Sequence, residues 1–347
     1  MMKKIYFIRE KTSYYGGAEV YLSRLTNALK KTKIEFQLIH SIFPKFLPSW
    51  LRLILFNLQV ALLKGDKLYF SLERILWPDI YRAGDGVHKV FLEIESKSKL
   101  NPLHKILLFI ERRCFNNAKV IITNSKMVKQ DIIKTYDIDP TKIEVIYNGF
   151  EISEKQSYQS SFSKLAKEFN INTGQPIILY AGSGYKRKGV EEFLQILSQL
   201  NNKDFVAFIV GKEKKIEYFK KLVKVLSLEN QVKIAGVRKD ISDFYNICDI
   251  FLFPSHYEPF GNVVLEAMCY GSVVFTTKQN GASEIIDKEF IMSNPKDFSV
   301  VKKIDGLLDD PSSLEEKKQK NLRISQKFSI EKNCEQILEL LNKHFND

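Results

Sequence analysis

The stretch FLFPSHYEPFGNVVLEAMCYG, residues 251–271, decides the interpretation of this chain. With Ile250 it begins as a short apolar run, which predicts a buried strand, and from Gly261 it continues as a helical pattern. Glu258 then lies in the loop, and Glu266 lies within the helix. Ligands of open α/β sheets bind at the edge where the carboxyl ends of the strands lie, and the loop with Glu258 follows such a strand end. Carboxylates there accept hydrogen bonds from hydroxyl groups, and a helix N-terminus favours an anion. The two glutamates therefore predict a site for a hydroxyl-rich ligand that carries negative charge.

Strand and helix patterns alternate along both halves of the chain. Repeated β-α units predict parallel sheets with helices on both faces. We therefore predict an α/β fold with two Rossmann-like domains, residues 1–155 and 156–328, whose parallel sheets face a central cleft, followed by a C-terminal helix within 329–347. The predicted strands are residues 5–8, 35–40, 67–70, 119–123, 144–147, 177–181, 205–210, 232–235 and 250–253, and the predicted helices between them include 18–30, 190–200 and 214–226.

The local structure of three segments can be predicted from their composition. Residues 153–163 are polar and rich in serine, which predicts a linker. Residues 77–87, WPDIYRAGDGV, are predicted to form a polar loop after a strand. Residues 47–63 are the longest apolar stretch, but polar residues interrupt it and it is too short to span a bilayer. A packed amphipathic helix is favoured there over a helix that lies on a membrane surface.

The positive charge of the chain is concentrated in its first half. The net charge is +12 over 347 residues, and residues 1–150 contain 25 Lys and Arg against 14 Asp and Glu, a net +11. A basic surface favours an anionic partner such as a membrane or a nucleic acid. No nucleic-acid-binding module is recognisable, so we expect an anionic membrane surface and no nucleic acid. Lysines scattered over a solvated surface are the alternative.

Neither the cysteines nor the acidic residues predict a disulfide or a metal site. Asp137 and Asp139 form an Asp-x-Asp pair of the kind that binds metals, but Asp139 precedes Pro140 and is better explained as a helix cap. We therefore expect no metal and no cofactor. The N-terminus lacks the apolar run of a secretory signal. Four cysteines without paired spacing predict reduced, buried thiols in a cytoplasmic protein: Cys114, Cys248, Cys269 and Cys334.

A second glycine-containing loop, YAGSGYKRKG at residues 180–189, joins a predicted strand to a predicted helix. Glycines there let the backbone approach a phosphate, and Arg187 and Lys188 offer positive charge. A Walker A loop needs Lys and then Ser or Thr after its second glycine, but Val190 and Glu191 follow Gly189. A dinucleotide fingerprint needs a small residue three positions after Gly184, where this chain has Arg187. A phosphate site of another kind or a solvated basic turn remains.

These two loops resemble the donor site of the retaining GT-B glycosyltransferases of the family-4 type. The resemblance covers nearly the whole chain and is strongest over residues 177–286. It implies that Arg187 and Lys188 bind the donor diphosphate, with Ser183 at a position where many members carry Arg. It also implies a C-terminal helix that packs back on the first domain. The residues implied to hold the sugar, through a carboxylate and backbone amides, are Glu258, Phe260, Gly261, Asn262 and Val263, and Glu266 is implied to bind the ribose.

Further positions match landmarks of the same family. Gly16 and Gly17 match its first glycine loop, which faces the donor, and Val237 and Arg238 lie where its backbone contacts the nucleobase. Asp85 matches an acceptor-side acid that could orient the acceptor hydroxyl or take its proton, and His88 is the alternative. The alternative is that Asp85 has no role with the acceptor and only caps the turn before Gly86. The catalytic set implied is Asp85, Arg187, Lys188 and Glu258.

The resemblance is greatest to lipopolysaccharide core glucosyltransferases. It implies a metal-independent enzyme that moves a hexose, with retention, from a nucleotide sugar such as UDP-glucose to a lipid-linked glycan such as the lipopolysaccharide inner core. GDP-mannose or a UDP-N-acetylhexosamine are alternative donors, for capsule or other surface glycans. A nucleotide-sugar epimerase and a non-catalytic polyanion- or lipid-binding protein are alternatives of other classes. The expected location is the cytoplasm, peripheral at the inner membrane.

Overall fold

The computed structural model describes residues 4–10, 17–30, 34–95, 101–152 and 156–345. The chain forms two compact units: unit 1 is Met1–Gly149 with Ile330–Asp347, and unit 2 is Phe150–Ser329. A backbone hydrogen bond of 3.0 Å from the Phe150 amide to the Phe328 carbonyl joins the two ends of unit 2. The boundaries therefore lie close to those predicted at 155 and 328, and the first falls before the serine-rich segment.

Unit 1 contains, within its described residues, a six-stranded parallel sheet in the order β2-β1-β3-β4-β5-β6. Its strands are β1 (Ile5–Ile8), β2 (Phe36–Ile39), β3 (Leu68–Ser71), β4 (Ile80–Arg82), β5 (Val120–Thr123) and β6 (Ile143–Val145). Its first helices are α1 (Gly17–Leu29), α2 (Ser49–Leu63), α3 (His88–Ile94), α4 (Pro102–Asn117) and α5 (Lys126–Tyr136).

Unit 2 contains, in its described part, a second six-stranded parallel sheet in the order β12-β11-β10-β7-β8-β9. Its strands are β7 (Ile177–Ala181), β8 (Val206–Val210), β9 (Val232–Gly236), β10 (Ile250–Phe253), β11 (Val273–Thr277) and β12 (Ile291–Met292). Its helices are α6 (Tyr158–Phe169), α7 (Tyr185–Lys188), α8 (Val190–Gln199), α9 (Ile216–Val225), α10 (Ile241–Ile247), α11 (Asn262–Cys269), α12 (Val300–Asp309) and α13 (Pro311–Ser325).

The central strands of unit 2 place the two glycine-containing loops side by side. Every residue of β7 and β10 is buried, as expected for strands of a parallel sheet that is covered on both faces. The two strands are parallel neighbours, with Ile178 opposite Ile250 and Leu179 opposite Phe251. Because parallel strands end at the same edge, the loop after β7 and the loop after β10 leave the sheet next to each other.

The last helix, α14 (Ile330–Phe345), belongs to unit 1. Its side chains Ile337 and Leu341 are fully buried in the core that β1, β3 and α1 build. Asn333 donates a side-chain hydrogen bond of 2.6 Å to the Tyr147 carbonyl, which ties the helix to the segment after β6. The chain therefore returns from unit 2 to complete the core of unit 1.

The prediction of an unbroken loop over residues 77–87 is wrong. Residues Ile80–Arg82 form β4, which lies between β3 and β5 and is fully buried. Tyr81 packs edge-on against Phe115 of α4, with ring centroids 5.5 Å apart. The strand is only three residues long, so its apolar content was outweighed by the proline, glycine and aspartate residues on either side.

The predicted linker over residues 153–163 is also wrong in its second part, because α6 begins at Tyr158. Its serines are structural residues rather than linker residues. Ser157 caps the helix by accepting from the Ser160 amide at 3.1 Å, and Ser161 is buried and donates to Asp243 of α10 at 2.9 Å. Residues 153–155 of the predicted linker lie outside the described residues.

Other local predictions can be compared with the structure. Asp139 caps a short 3₁₀ helix, Pro140–Lys142, by accepting from the Thr141 amide at 2.8 Å, as predicted. All four cysteines are buried and are not paired in disulfides. The apolar stretch forms α2, which packs through Phe56 and Val60 but leaves much of its apolar surface exposed. None of the helices in the described ranges is long and apolar enough to cross a membrane.

Candidate active site

Glycine allows the loop after β7 to pack closely on the loop after β10. Gly189 ends α7 with φ +79°, and a Cβ atom there would lie 1.9 Å from the Pro254 carbonyl oxygen. Any other residue would be strained by that backbone conformation and would also clash. The close approach brings α7, which carries Arg187 and Lys188, against the segment that contains Glu258.

Arg187, Lys188 and Glu258 converge at this contact. Arg187 donates from Nη1 to Glu258 Oε2 at 2.8 Å and to the Tyr257 carbonyl at 2.5 Å. Lys188 Nζ lies 3.5 Å from the same carboxylate oxygen. All three side chains are at most one quarter exposed. The structure thus brings together the basic pair and the first of the two glutamates that the sequence singled out.

The cations of this cluster outnumber its carboxylate. Burial by itself raises the pKa of Glu258, but the ammonium of Lys188 and the guanidinium of Arg187 outweigh it and hold that pKa below its ordinary value. Glu258 is therefore ionised at neutral pH, and one carboxylate faces two cations. The cluster keeps a net positive charge, which suits an anionic ligand.

Asn280 supports the loop that carries Glu258, and the sequence analysis missed it. The Glu258 amide donates to the Gln279 carbonyl at 3.0 Å, and the Gly281 amide donates to the Glu258 carbonyl at 2.9 Å. Gly261 has φ +75°, and a Cβ atom there would lie 2.8 Å from the fully buried Asn280 side chain. The turn-forming pair Asn280-Gly281 was the one signal in the sequence that could have indicated this support.

Glu266 projects from α11, and a tyrosine of the neighbouring helix α10 fixes its carboxylate. Tyr245 is buried and donates from its hydroxyl to Glu266 Oε2 at 3.1 Å. Burial, and then the Glu266 charge, raise the pKa of Tyr245 well above its ordinary value, so the hydroxyl stays a donor. Asn262 and Val263 form the first turn of α11, whose N-terminus follows Gly261. Phe260 is buried and accepts from the Ala282 amide at 2.8 Å through its carbonyl.

His256 and Glu192 form a second support that sequence reasoning did not find. The His256 amide donates to the Arg187 carbonyl at 2.9 Å, and its ring nitrogen lies 3.0 Å from Glu192 Oε1. Burial raises the pKa of Glu192, but the hydrogen bond from His256, a backbone hydrogen bond and the nearby positive charge together outweigh it, so that pKa lies below its ordinary value. This pair holds the backbone of α7 in place from the side of α8.

Three other predicted donor residues lie at the carboxyl edge of the same sheet or close to it. The Ser183 hydroxyl accepts from the Lys212 amide at 3.0 Å. Val237 follows β9 and is 70% exposed. The Arg238 side chain is engaged by two carboxylates, Glu168 at 2.5 Å and Asp240 at 2.9 Å. Arg238 can therefore serve a nucleobase through its backbone, whereas its side chain braces α6.

The predicted acceptor residues lie in unit 1, after β4. Asp85 is exposed in the loop between β4 and α3. His88 is the first residue of α3, its amide donates to the buried carboxylate of Glu111 at 2.7 Å, and its Nε2 lies 3.1 Å from Nδ1 of His104. Gly17 begins α1, whereas Gly16 lies outside the described residues.

No cluster of three or more His, Cys, Asp or Glu side chains is positioned to hold a metal ion among the residues that the structure describes. Arg187, Lys188 and the backbone amides at the N-terminus of α11 offer positive charge at the edge of the unit 2 sheet. Such a set suits a diphosphate beside a sugar whose hydroxyls meet Glu258.

Comparison with known proteins identifies the family. The sequence profile described as "Glycosyl transferases group 1" matches residues 161–343, more than half of the chain. The chain belongs to the group 1 glycosyl transferases. A second profile, "Glycosyltransferase Family 4", matches residues 82–154, nearly all of which belong to unit 1, so both units carry the signature of such enzymes. The predicted membership of the family-4 type is confirmed.

Individual relatives of this family member are distant. Lipopolysaccharide glucosyltransferase WaaG of Escherichia coli (strain K12) is 27% identical over 218 residues, which are 60% of this chain and 58% of WaaG. The chain spans about half the length of the curated relatives it matches.

Solved structures resemble this chain over nearly its whole length. A crystal structure of WaaG has a TM-score of 0.76 at 18% identity and covers 97% of this chain and 99% of its own. Anabaena Alr3699/HepE, in complex with UDP and glucose, has a TM-score of 0.75 at 22% identity and covers 99% of this chain and 100% of its own. These likenesses confirm the predicted α/β fold of the GT-B class.

Proposed function

We propose that this protein transfers a hexose from a nucleoside diphosphate sugar, UDP-glucose in the first instance, to a hydroxyl group of a lipid-linked glycan such as the lipopolysaccharide inner core. The transfer proceeds without a metal and with retention of configuration. The observation that carries the proposal is the convergence of Arg187, Lys188 and Glu258 at the carboxyl edge of β7 and β10. The cations face the diphosphate, and the carboxylate faces the sugar.

In the proposed reaction the bond between the anomeric carbon and the diphosphate oxygen breaks. Its electron pair leaves with the diphosphate, and the acceptor oxygen bonds to the anomeric carbon from the same face and loses its proton to the leaving group. Arg187 and Lys188 stabilise the charge that develops on the diphosphate and so lower the barrier. Glu258 is fixed by both cations, so it orients sugar hydroxyls rather than attacking the anomeric carbon.

The nucleotide half of the donor is assigned to α11 and to the segment after β9. Glu266, oriented by Tyr245, accepts hydrogen bonds from the ribose hydroxyls. The amides at the start of α11 contact the phosphate and sugar oxygens, and the backbone at Val237 and Arg238 contacts the base. UDP is chosen because the solved Alr3699/HepE complex contains UDP and glucose. Relatives of similar identity are named for other sugars and acceptors, so the donor is tested first.

The acceptor is assigned to unit 1. Asp85 is exposed at the carboxyl end of β4 and is proposed to orient the acceptor hydroxyl. His88 is the weaker choice, because its Nε2 faces His104. The concentration of positive charge in the first 150 residues supports an anionic, lipid-borne acceptor at the cytoplasmic face of the inner membrane.

Thermal-shift binding against UDP, GDP, ADP and CMP, with and without EDTA, tests the donor. The proposal expects stabilisation by UDP that EDTA leaves unchanged. Stabilisation by GDP alone would show that the donor is a GDP-sugar and not a UDP-sugar. Stabilisation that EDTA removes would contradict transfer without a metal. No shift with any nucleotide would overturn the donor site itself and favour a non-catalytic lipid-binding protein.

Two lysines of α7 provide a matched pair for the catalytic role. Lys188 lies beside Glu258, whereas Lys186 is exposed on the same four-residue helix. We expect Lys188→Ala to lower kcat for sugar transfer by roughly 100-fold and Lys186→Ala to leave it near the wild-type value. Equal activity of the two variants would contradict the assignment of the diphosphate site. Products formed from the donor alone would instead indicate an epimerase.

A further inference from the structure

Helix α2 directs its polar side chains into unit 1. Arg52 donates from Nε to Glu10 at 2.6 Å, and Asn57 is buried and accepts from the Leu76 amide at 3.0 Å. Gln59 donates to a backbone carbonyl of the segment before the helix at 2.9 Å. A surface helix of a water-soluble protein has the opposite arrangement, with polar groups facing the solvent.

The outward side of α2 is correspondingly apolar. Trp50, Ile54, Leu58 and Leu62 follow one another at intervals of four residues and are 40%, 42%, 54% and 79% exposed. Side chains four residues apart lie on one side of a helix, so these four form a continuous stripe. Exposed apolar patches of this kind mark contacts with a membrane, a ligand or another protein.

An open cavity of about 590 Å³ lies between α2 and α4, at the middle of this stripe. Its volume falls within the range of small-molecule sites, about 300–1,000 Å³. Its walls are almost wholly apolar, and Lys105 is the one charged residue among those that line it in the described part of the chain. Lining residues from both sides are Ile54, Leu58, Ala61, Trp77, Ile106 and Phe109.

The charge around the cavity selects the kind of ligand. Lys105, which lines the cavity, and Arg113 of α4 are exposed, and the guanidinium of Arg113 lies 5.7 Å from the ring of Phe109, another lining residue. Helix α2 contains no acidic residue, and Glu111, the one acid of α4, is fully buried. An apolar cavity with cations at its rim and no exposed carboxylate on either helix complements a hydrocarbon chain attached to an anionic head group.

We propose that this cavity binds the hydrocarbon chain of an anionic lipid while the apolar stripe of α2 lies on the membrane that supplies it. The inference rests on the proposed function, because a lipid-linked acceptor is the molecule that would bring such a chain to unit 1. It adds a binding site for the lipid portion of the acceptor, separate from the residues assigned to the sugar donor.

The chain's two tryptophans, Trp50 and Trp77, both belong to this surface, and Trp77 lines the cavity. A Trp50→Phe protein therefore reports on the cavity through Trp77 fluorescence. The probe is a single-chain fatty acid that carries bromine on its chain, used below its micelle concentration, because bromine quenches tryptophan on contact. We expect saturable quenching of Trp77. Absence of quenching would overturn the inference.

Two pairs of variants in the Trp50→Phe background separate the cavity from the surface. Leu58 lines the cavity and Leu62 does not, although both are exposed on α2. We expect Leu58→Gln to weaken the binding of the bromo-fatty acid by at least about fivefold, or about 1 kcal/mol, and Leu62→Gln to leave it unchanged. Ala61→Phe fills the cavity, whereas Leu62→Phe adds a ring outside it. Equal quenching within both pairs would show general surface adsorption and would overturn the site.

Flotation with vesicles tests whether the protein binds an anionic membrane and whether the positive charge of α4 contributes to that binding. The full chain should float with vesicles of phosphatidylcholine and phosphatidylglycerol and remain below with phosphatidylcholine alone. Arg113→Glu should reduce flotation. Lys221→Glu, which reverses the same charge at an exposed position of α9 in unit 2, should not. Equal loss in both variants, or none, would overturn the assignment of charge to α4.

The UDP thermal shift, recorded on every variant, separates this inference from the proposed function. A UDP shift without quenching of Trp77 would overturn the lipid site and leave the donor site intact. Quenching without a UDP shift would support the lipid site and overturn the proposed UDP-sugar donor. Because the cavity lies in unit 1 and the assigned UDP site in unit 2, a loss of quenching is assigned to the cavity only in a variant whose circular dichroism spectrum and melting midpoint also match those of the parent protein.

Discussion

Gly184 and Gly189 flank α7 with nearly the same left-handed backbone, φ +78° and +79°, yet their surroundings differ. A Cβ atom on Gly189 would lie 1.9 Å from the Pro254 carbonyl oxygen, whereas one on Gly184 would have no neighbour within 4 Å in the described structure. The same substitution at the two glycines therefore separates the cost of the backbone conformation from the cost of the contact between the two loops.

We expect Gly184→Ala to destabilise unit 2 by about 1–2 kcal/mol, the cost of a left-handed alanine. Gly189→Ala should cost about 1–3 kcal/mol more, because the methyl group forces the loops apart. Calorimetric melting midpoints measure both, at roughly 2–4 °C per kcal/mol for a unit of this size. The UDP shift should fall only in Gly189→Ala. Equal effects would show that the loop contact is unimportant.

Glu258 should give unit 2 a pH-dependent stability. Its pKa in the folded protein is lower than in the unfolded chain, because Lys188 and Arg187 favour the charged form over the opposing effect of burial. The contribution is therefore fully present above the ordinary pKa of a glutamate, about 4.3, and is lost as the pH falls through the lower folded value.

Replacing Glu258 tests that sign. At pH 7, Glu258→Gln should lower the free energy of unfolding by about 1–3 kcal/mol, because two cations lose their partner. The difference from wild type should shrink below about pH 4. The control is Glu229→Gln at an exposed position, which should have no comparable effect. A difference that stays constant or grows as the pH falls would contradict the lowered pKa.

Two neighbouring tyrosines should respond oppositely to loss of the hydroxyl. The Tyr180 hydroxyl is buried without a hydrogen-bond partner among the described residues, whereas Tyr185 donates to the Gly211 carbonyl at 3.1 Å. Tyr180→Phe should leave stability unchanged or raise it by up to about 1 kcal/mol, and Tyr185→Phe should lower it by about 0.5–1.5 kcal/mol. Urea unfolding followed by circular dichroism distinguishes them. Equal losses would mean that the Tyr180 hydroxyl has a partner.

The sequence predicted those parts of the fold that rest on local pattern. The bounds of β7 and β10 were predicted to the residue, because a fully buried parallel strand is a continuous apolar run between turn residues. By contrast, β4 was missed, since three buried residues are too few to make a pattern. The serines of α6 looked like a linker because the partner of Ser161, Asp243, is distant in sequence.

The residues of the candidate site also divide into those that a local pattern predicted and those that it missed. Arg187, Lys188 and Glu258 were found because a glycine-bounded loop and a glutamate after a strand are visible locally. Asn280 and the pairing of His256 with Glu192 were missed, because each acts on a loop far away in the chain and carries no motif of its own. Such supports become visible only once the sheet has aligned its loops.

Tyr245 offers the sharpest test of the ribose assignment. Its hydroxyl donates to Glu266, so Tyr245→Phe should leave that carboxylate less well oriented. UDP affinity should fall about 3- to 10-fold, the equivalent of about one hydrogen bond, in isothermal titration. Affinity for the analogue of UDP that lacks the ribose hydroxyls should hardly change, because the orientation of Glu266 is then irrelevant.

Tyr270→Phe is the control for that change, because Tyr270 stacks on Tyr245 with ring centroids 5.7 Å apart and thus shares its environment. It should leave the affinity for both nucleotides unchanged. Equal losses for UDP and its analogue in Tyr245→Phe would show that the tyrosine supports α11 as a whole. Glu266 would then not be the group that recognises the ribose, and the nucleotide would have to bind elsewhere along the edge of the sheet.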